Sequence, residues 1–168
     1  GVGGYGNSGY AYTGSTPSKL KKRIEEANSS NAEITDINIT ENGNYVIILG
    51  GSGYWTLGYP DAFLKKLEQY RTGDLRDDNI LSACFNDRGE WVVITDKHYS
   101  YSNETIKNFI LKAEELYEEV YYAYITNYGM IACCKNGVYY KNIPSNLAEA
   151  LKKLTFKPKV IKLSLIHI

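Results

Sequence analysis

The sequence predicts an α+β protein made of tandem repeats, each a three-stranded antiparallel meander followed by one helix. Two observations predict this class. Aromatic segments recur about every 44 residues, and within each interval the apolar spacing changes from the period of a strand to that of a helix. Composition agrees, because 16 Tyr and 15 Gly among 168 residues favour short aromatic strands joined by tight turns.

The aromatic segments set the period. They begin at Gly9, Gly53, His98 and Gly137, so successive segments start 44, 45 and 39 residues apart. A period of this size is typical of arrays, solenoids or propellers. We expect His98 to hold a turn position that tolerates left-handed geometry, because it aligns with Gly53 and Gly137.

Strands precede three of these segments. Residues 45–49, 91–95 and 130–134 are nearly continuous apolar runs, which are typical of central strands covered on both faces. Upstream of the first run, residues 36–40 alternate polar and apolar, as a half-buried strand does. Each complete repeat is therefore predicted to hold a first, a central and an aromatic strand.

A helix follows each aromatic strand, because apolar residues then recur at helical spacing. On each predicted helix these residues form an apolar stripe along one face. The four apolar stripes are Leu20, Ile24 and Ala27; Phe63, Leu64 and Leu67; Ile106, Phe109, Ile110, Ala113 and Leu116; and Leu147, Ala150, Leu151 and Leu154. Pro17, Pro60 and Pro144 lie at helix starts, where a missing N–H costs nothing. Either Ser102 or Asn103 can cap the helix that lacks Pro.

These patterns divide the chain into repeats. Residues 1–31 form a partial repeat without its first strand; complete repeats follow at 32–76, 77–119 and 120–157, and residues 158–162 begin a further one. Residues 163–168, Leu-Ser-Leu-Ile-His-Ile, resemble a translated sequencing adapter, and we expect them to be a scar on a fragment of a longer bacterial protein. One such unit is too small to bury its own apolar face, so neighbouring units must share a core.

Charge, hydropathy and cysteine spacing argue against nucleic-acid binding, a membrane span, a cysteine metal site and a catalytic thiol. Lys plus Arg and Asp plus Glu are both 19, so no broad cationic field is available for nucleic acid, and no apolar run is long enough to span a membrane. Cys84, Cys133 and Cys134 lack metal-ligand spacing. Cys133 and Cys134 align with Ile94 and Thr95 of the second repeat, so we expect small hydrophobic core residues rather than a catalytic thiol.

The repeats resemble a known group. The segments Gly89-Glu90-Trp91-Val92-Val93-Ile94, Gly53-Tyr54-Trp55 and Gly58-Tyr59-Pro60, followed by Leu-x-x-Leu helices, are similar to tandem WD40-like or propeller-like repeats of uncharacterised bacterial proteins. The chain has neither the Gly-His nor the Trp-Asp dipeptide of WD40 blades, and it has a helix where their fourth strand lies. The resemblance implies a curved or propeller-like array that acts as an interaction scaffold, with no catalytic residue.

The aromatic strands supply the candidate binding residues. One pair recurs in each repeat, and together the pairs could form an aromatic stripe: Tyr10, Tyr12, Tyr54, Trp55, Tyr99, Tyr101, Tyr139 and Tyr140. The alternative is that these rings are core and strand-surface residues. We expect a non-enzymatic scaffold for a protein partner, without metal or cofactor. The alternatives are a glycan-binding module that uses the stripe and an appendage of an enzyme domain outside this chain.

Overall fold

The computed structural model describes residues 2–4, 10–12 and 18–153, with side chains from residue 18 to residue 152. Within this part of the chain there are four helices and three three-stranded antiparallel sheets, so the predicted α+β class is confirmed. The expected further repeat at 158–162 and the expected scar at 163–168 lie outside the described residues.

The elements follow one another in the same order along the chain. Strands β1 (Val2–Gly4) and β2 (Tyr10–Tyr12) pair with each other and precede helix α1 (Ser18–Ser30). Sheet 1 consists of β3 (Ile34–Ile39), β4 (Tyr45–Leu49) and β5 (Gly53–Leu57), and α2 (Asp61–Arg71) follows it. Sheet 2 consists of β6 (Ile80–Phe85), β7 (Trp91–Thr95) and β8 (Tyr99–Tyr101), followed by α3 (Glu104–Tyr117). Sheet 3 consists of β9 (Val120–Ile125), β10 (Met130–Cys134) and β11 (Val138–Lys141), followed by α4 (Ser145–Lys153).

The three sheets share one register. In each sheet the second strand lies in the middle and pairs antiparallel with the strands before and after it. The first residues of the central strands, Tyr45, Trp91 and Met130, pair with the last residues of the first strands, which are Ile39, Phe85 and Ile125. This register defines equivalent positions in the three sheets.

Each central strand is covered on both faces by helices. We call the hydrophobic cluster formed by a helix and the sheet faces that pack on it the layer of that helix. In sheet 1, Tyr45 and Ile47 pack in the layer of α1, whereas Val46 and Ile48 pack in the layer of α2. Because the α2 layer also holds Trp91 and Val93 of sheet 2, α2 lies between sheets 1 and 2. The layer of α3 likewise joins Val92 and Ile94 of sheet 2 to Ala132 and Cys134 of sheet 3. Full burial of each large aliphatic side chain contributes about 1.5–3 kcal/mol, so neighbouring units stabilise each other.

Strand β3 alternates in burial, as expected for residues 36–40, but the buried face is the polar one. The polar side chains of Asp36 and Asn38 are 3% and 4% exposed, whereas Ile37 and Ile39 are only half-buried. The Asp36 carboxylate accepts a hydrogen bond from the Ala83 N–H at 2.8 Å, and the Asn38 amide donates to the Ala83 carbonyl at 2.8 Å. The polar face is therefore buried because it binds the backbone of the next sheet's first strand.

Sheets 2 and 3 meet in the same way with different side chains. The Ser82 hydroxyl accepts from the Ala123 N–H at 3.1 Å. The Cys84 thiol accepts from the Ile125 N–H at 3.4 Å and donates to its carbonyl at 3.5 Å. Direct contacts between neighbouring sheets thus run along the first strands.

Among the described residues, the helix starts and stripes largely follow the expected residues, with three differences. The first is Ala150, which was expected in the apolar stripe of α4 and is exposed; Pro17 and Leu154 lie outside the described residues. Asn103 caps α3, because its side chain accepts from the Ile106 N–H at 2.9 Å. Leu116, expected in the apolar stripe of α3, is 50% exposed. Tyr70 of α2 was not expected in a stripe, yet it is fully buried and its hydroxyl bonds Ser100 at 2.7 Å.

The turn position shared by His98, Gly53 and Gly137 was expected to tolerate left-handed geometry, but none of the three residues has a positive φ. At Gly137 the requirement is space, because a Cβ there would overlap the ring of Tyr117. Among the described residues, no helix has the length and apolar character needed to cross a membrane.

Candidate protein-binding surface

The aromatic residues proposed as a stripe are divided among several layers. Tyr54 packs with α2 and Trp55 with α1, whereas Tyr140 packs in the layer of α4. The α3 layer brings three of the rings together, namely Tyr99, Tyr101 and Tyr139. Tyr10 and Tyr12 belong to β2, and their side chains lie outside the described residues.

The six described rings are half-buried and have contacts within the fold. The Tyr99 hydroxyl accepts from the Val120 N–H at 2.9 Å, and burial raises the pKa of Tyr99 far above its ordinary value. Tyr139 packs on Phe109 with ring centroids 5.0 Å apart. Much of each ring's surface therefore stabilises a layer instead of facing solvent.

A second group of residues lies in the turns between first and central strands. Thr40, Asn86 and Thr126 open these turns at equivalent positions. Each uses its side-chain oxygen to accept hydrogen bonds from N–H groups of its own turn, at 2.8 to 3.2 Å. A Gly follows three residues later in every case, and Gly43 and Gly89 have φ of 83°. Such local bonds fix the backbone of a turn.

Asp87 and Asn127 tie the three turns to one another. The Asp87 carboxylate accepts from the Asn42 N–H at 3.1 Å, which joins the first turn to the second. The Asp87 N–H donates to the Asn127 side chain at 2.9 Å, and that amide donates back to Asp87 at 3.3 Å. The Asn127 amide also reaches the Glu41 carboxylate at 3.2 Å, joining the third turn directly to the first.

The charge of Asp87 is stabilised by this network. Burial alone would raise the pKa of its carboxyl group, but hydrogen bonds from Thr40, the Asn42 backbone and neighbouring amides hold the pKa below its ordinary value of 3.8. The carboxylate therefore remains charged, and continues to hold the turns together, down to a pH below that value.

Exposed side chains surround the network. Tyr128 is 76% exposed, the highest value among the large hydrophobic residues described, and the Arg88 side chain is 65% exposed. Tyr59 is 39% exposed and lies beside the first turn, because Gly58 closely approaches the side chain of Asn44. We call this the turn surface; its residues are Glu41, Asn42, Tyr59, Asp87, Arg88, Asn127 and Tyr128.

The turn surface offers contact area and hydrogen-bonding groups, with little space for a small ligand. The pocket between the three turns has a volume of about 20 Å³, enough for one water molecule. In the described part of the chain, no group of three His, Cys, Asp or Glu residues could hold a metal ion. Cys84, Cys133 and Cys134 are buried, and burial raises the pKa of each thiol to about 12, the opposite of what activates a nucleophilic thiol.

Sequence reasoning missed the turn surface because it followed the aromatic strands. A signal was present: Thr or Asn stands three residues before Gly at 40–43, 86–89 and 126–129. This spacing between two strands is typical of a tight, side-chain-capped turn. Its recurrence in all three predicted repeats could have identified the surface.

Comparison with known proteins identified no relative of this chain. No protein-family model matches the chain, and neither a curated protein nor a solved structure matches it. The function is therefore inferred from the geometry of the chain itself.

Proposed function

We propose that this chain is a non-catalytic repeat scaffold whose turn surface binds a protein partner. One observation carries the proposal: three turns from three successive sheets are joined by hydrogen bonds and together present Tyr128, Arg88 and Tyr59 to solvent. Tyr and Arg are enriched at protein interfaces and among the residues that contribute most to binding.

The network also supports binding through its rigidity. A flexible loop loses conformational freedom when a partner orders it, and that loss weakens binding. In these turns the side-chain and inter-turn bonds already hold the backbone. A partner would therefore meet a preorganised surface.

We further propose that the units form a curved, propeller-like array with the first strands on its inner side. Neighbouring sheets contact each other directly through first strands, as Asp36 does with Ala83, and α2 and α3 lie between the sheets beside these contacts. Because the sheets touch at their first strands and are held apart by helices beside them, the array is expected to curve toward the first strands. The bond from Asn127 to Glu41, which joins sheets 1 and 3 past sheet 2, also favours a tight curve. Small-angle X-ray scattering separates the alternatives, because a straight stack would give a larger radius of gyration.

Quantitative affinity capture tests the binding proposal. The wild-type chain and a Tyr128→Ala/Arg88→Ala variant are used to capture proteins from a bacterial lysate, with mass-spectrometric quantification. A loss of about 2 kcal/mol at each interface hot spot corresponds to about 30-fold in affinity, so the variant should lose its specific partner. The matched control is Leu111→Ala/Leu116→Ala, which removes exposed side chains from α3 and should retain the partner. Identical capture by the wild type and both variants would contradict the proposal.

A separate observation favours glycan binding as the second candidate function. Trp55 borders an open groove of about 590 Å³ beside α1, and the other lining residues are polar: Lys22, Glu25, Glu26, Ser29 and Ser30. Aromatic faces next to polar groups suit sugar rings, although the Arg23 guanidinium already lies 5.1 Å from the centre of the Trp55 ring. A polysaccharide that shifts tryptophan fluorescence in the wild type but not in Trp55→Phe would support this function. No response across a broad glycan panel would remove it.

A further inference from the structure

One position of the first strand contacts the following unit in sheets 1 and 2. Asn38 and Cys84 occupy this position, since each pairs with the second residue of its central strand. Their side chains donate to backbone carbonyls of the next first strand, at Ala83 and Ile125. In sheet 3 the same position is Tyr124, which pairs with Ile131.

Tyr124 is buried without the bond that its counterparts make. The side chain is 0% exposed, and its hydroxyl has no hydrogen-bond partner among the residues that the structure describes. A buried hydroxyl without a partner is costly, and native proteins rarely leave one. The ring packs in the layer of α4 with Ile131, Cys133 and Leu151.

We propose that this face of sheet 3 is a docking site for the first strand of a further unit, and that residues 159–162 are its occupant. A backbone group of that strand then bonds the Tyr124 hydroxyl, as Ala83 bonds Asn38. The segment Lys159-Val160-Ile161-Lys162 supplies an apolar pair for the layer. Five residues lie between the end of α4 at Lys153 and this segment, within the two to eight residues that lie between the other helices and the next first strand.

The three cysteines provide a local readout of this docking. Cys133 lies in the layer of α4 with Tyr124, whereas Cys84 and Cys134 lie in the layer of α3. Iodoacetamide labelling, quantified for each cysteine by mass spectrometry, reports how often each layer opens. We compare the full chain with a chain truncated after residue 157. The expected result is that Cys133 reacts at least about tenfold faster in the truncated chain, corresponding to about 1.4 kcal/mol, while Cys84 and Cys134 keep their rates.

Tyr124→Phe tests the hydrogen bond itself. In the full chain this change should raise the Cys133 labelling rate about fivefold, as expected for one buried hydrogen bond, and in the truncated chain it should have no effect. Equal Cys133 rates in the full and truncated chains would overturn the proposal, as would the same Tyr124→Phe effect in both.

A second variant decides the outcome if truncation unfolds the chain and all three cysteines react together. In the full chain, Val160→Gly/Ile161→Gly removes the two apolar side chains of the segment. Faster labelling of Cys133 alone supports docking, and an unchanged Cys133 rate contradicts it. Because these readouts do not involve the turn surface, they are independent of partner binding.

Discussion

Replacing Asp36 with alanine tests how the sheets are joined. The Asp36 carboxylate is 3% exposed and accepts hydrogen bonds from the Ala83 N–H at 2.8 Å and from the Asn38 amide at 3.0 Å. In Asp36→Ala the Ala83 N–H keeps its buried place between the first strands but loses its acceptor. Asn38 retains its bond to the Ala83 carbonyl at 2.8 Å and loses the other.

The expected cost follows from these contacts. A buried N–H left without a partner costs about 1–3 kcal/mol, and the second lost bond adds about 1 kcal/mol. We therefore expect Asp36→Ala to lower the free energy of unfolding by about 2–4 kcal/mol, a large part of the 5–15 kcal/mol that is usual for a folded domain. Ser82→Ala removes the equivalent neutral acceptor, whose single bond to the Ala123 N–H is longer at 3.1 Å, so its cost should be smaller, about 1–2 kcal/mol.

Urea unfolding followed by circular dichroism measures both changes. Thr35→Ala is the control, because its half-buried hydroxyl makes one 3.3 Å bond to the Ile48 carbonyl inside sheet 1 and does not join two sheets. The predicted order of destabilisation is Asp36, then Ser82, then Thr35. A loss below about 0.5 kcal/mol for Asp36→Ala, the size of an ordinary surface substitution, would refute the view that this carboxylate joins the sheets.

Three further predictions concern packing, capping and pH. Gly137→Ala should destabilise the fold by about 1–3 kcal/mol, because its Cβ would overlap the Tyr117 ring; a thermal midpoint equal to that of the wild type would contradict this. Asn103→Ala should cost about 1 kcal/mol by leaving the Ile106 N–H of α3 without its cap, and Asn103→Ser should recover much of the loss in urea unfolding. Burial raises the pKa of Cys84 from 9.0 to about 12, so the stability from keeping this thiol neutral is complete below pH 9 and falls as the pH rises toward 12. At pH 10 the loss is about 1.4 kcal/mol for this group, and an equal effect of Cys84→Ala on the free energy of unfolding at pH 8 and at pH 10 would contradict it.

The positions of the strands and helices could be predicted from the sequence, whereas the contacts between the sheets could not. Apolar runs at 45–49, 91–95 and 130–134 match the positions of β4, β7 and β10, because a strand buried on both faces needs apolar residues at nearly every position. The helices begin near Pro60, Asn103 and Pro144, since caps and prolines act locally and can be recognised without a tertiary structure. The turn surface was missed because its main contacts join residues about 40 to 86 positions apart.

The first strands explain why the candidate site could not be derived from periodicity. Alternation of polar and apolar residues in β3 indicates which side chains share a face, and it carries no information about what covers that face. Here the polar face is covered by the backbone of the next first strand, which offers both an N–H and a carbonyl to any side chain that can reach them. Asp36 with Asn38, and Ser82 with Cys84, satisfy those groups with different chemistry at the same two positions. Residue identity therefore varies from sheet to sheet at the contact that joins the sheets, so an alignment of the predicted repeats does not reveal this contact.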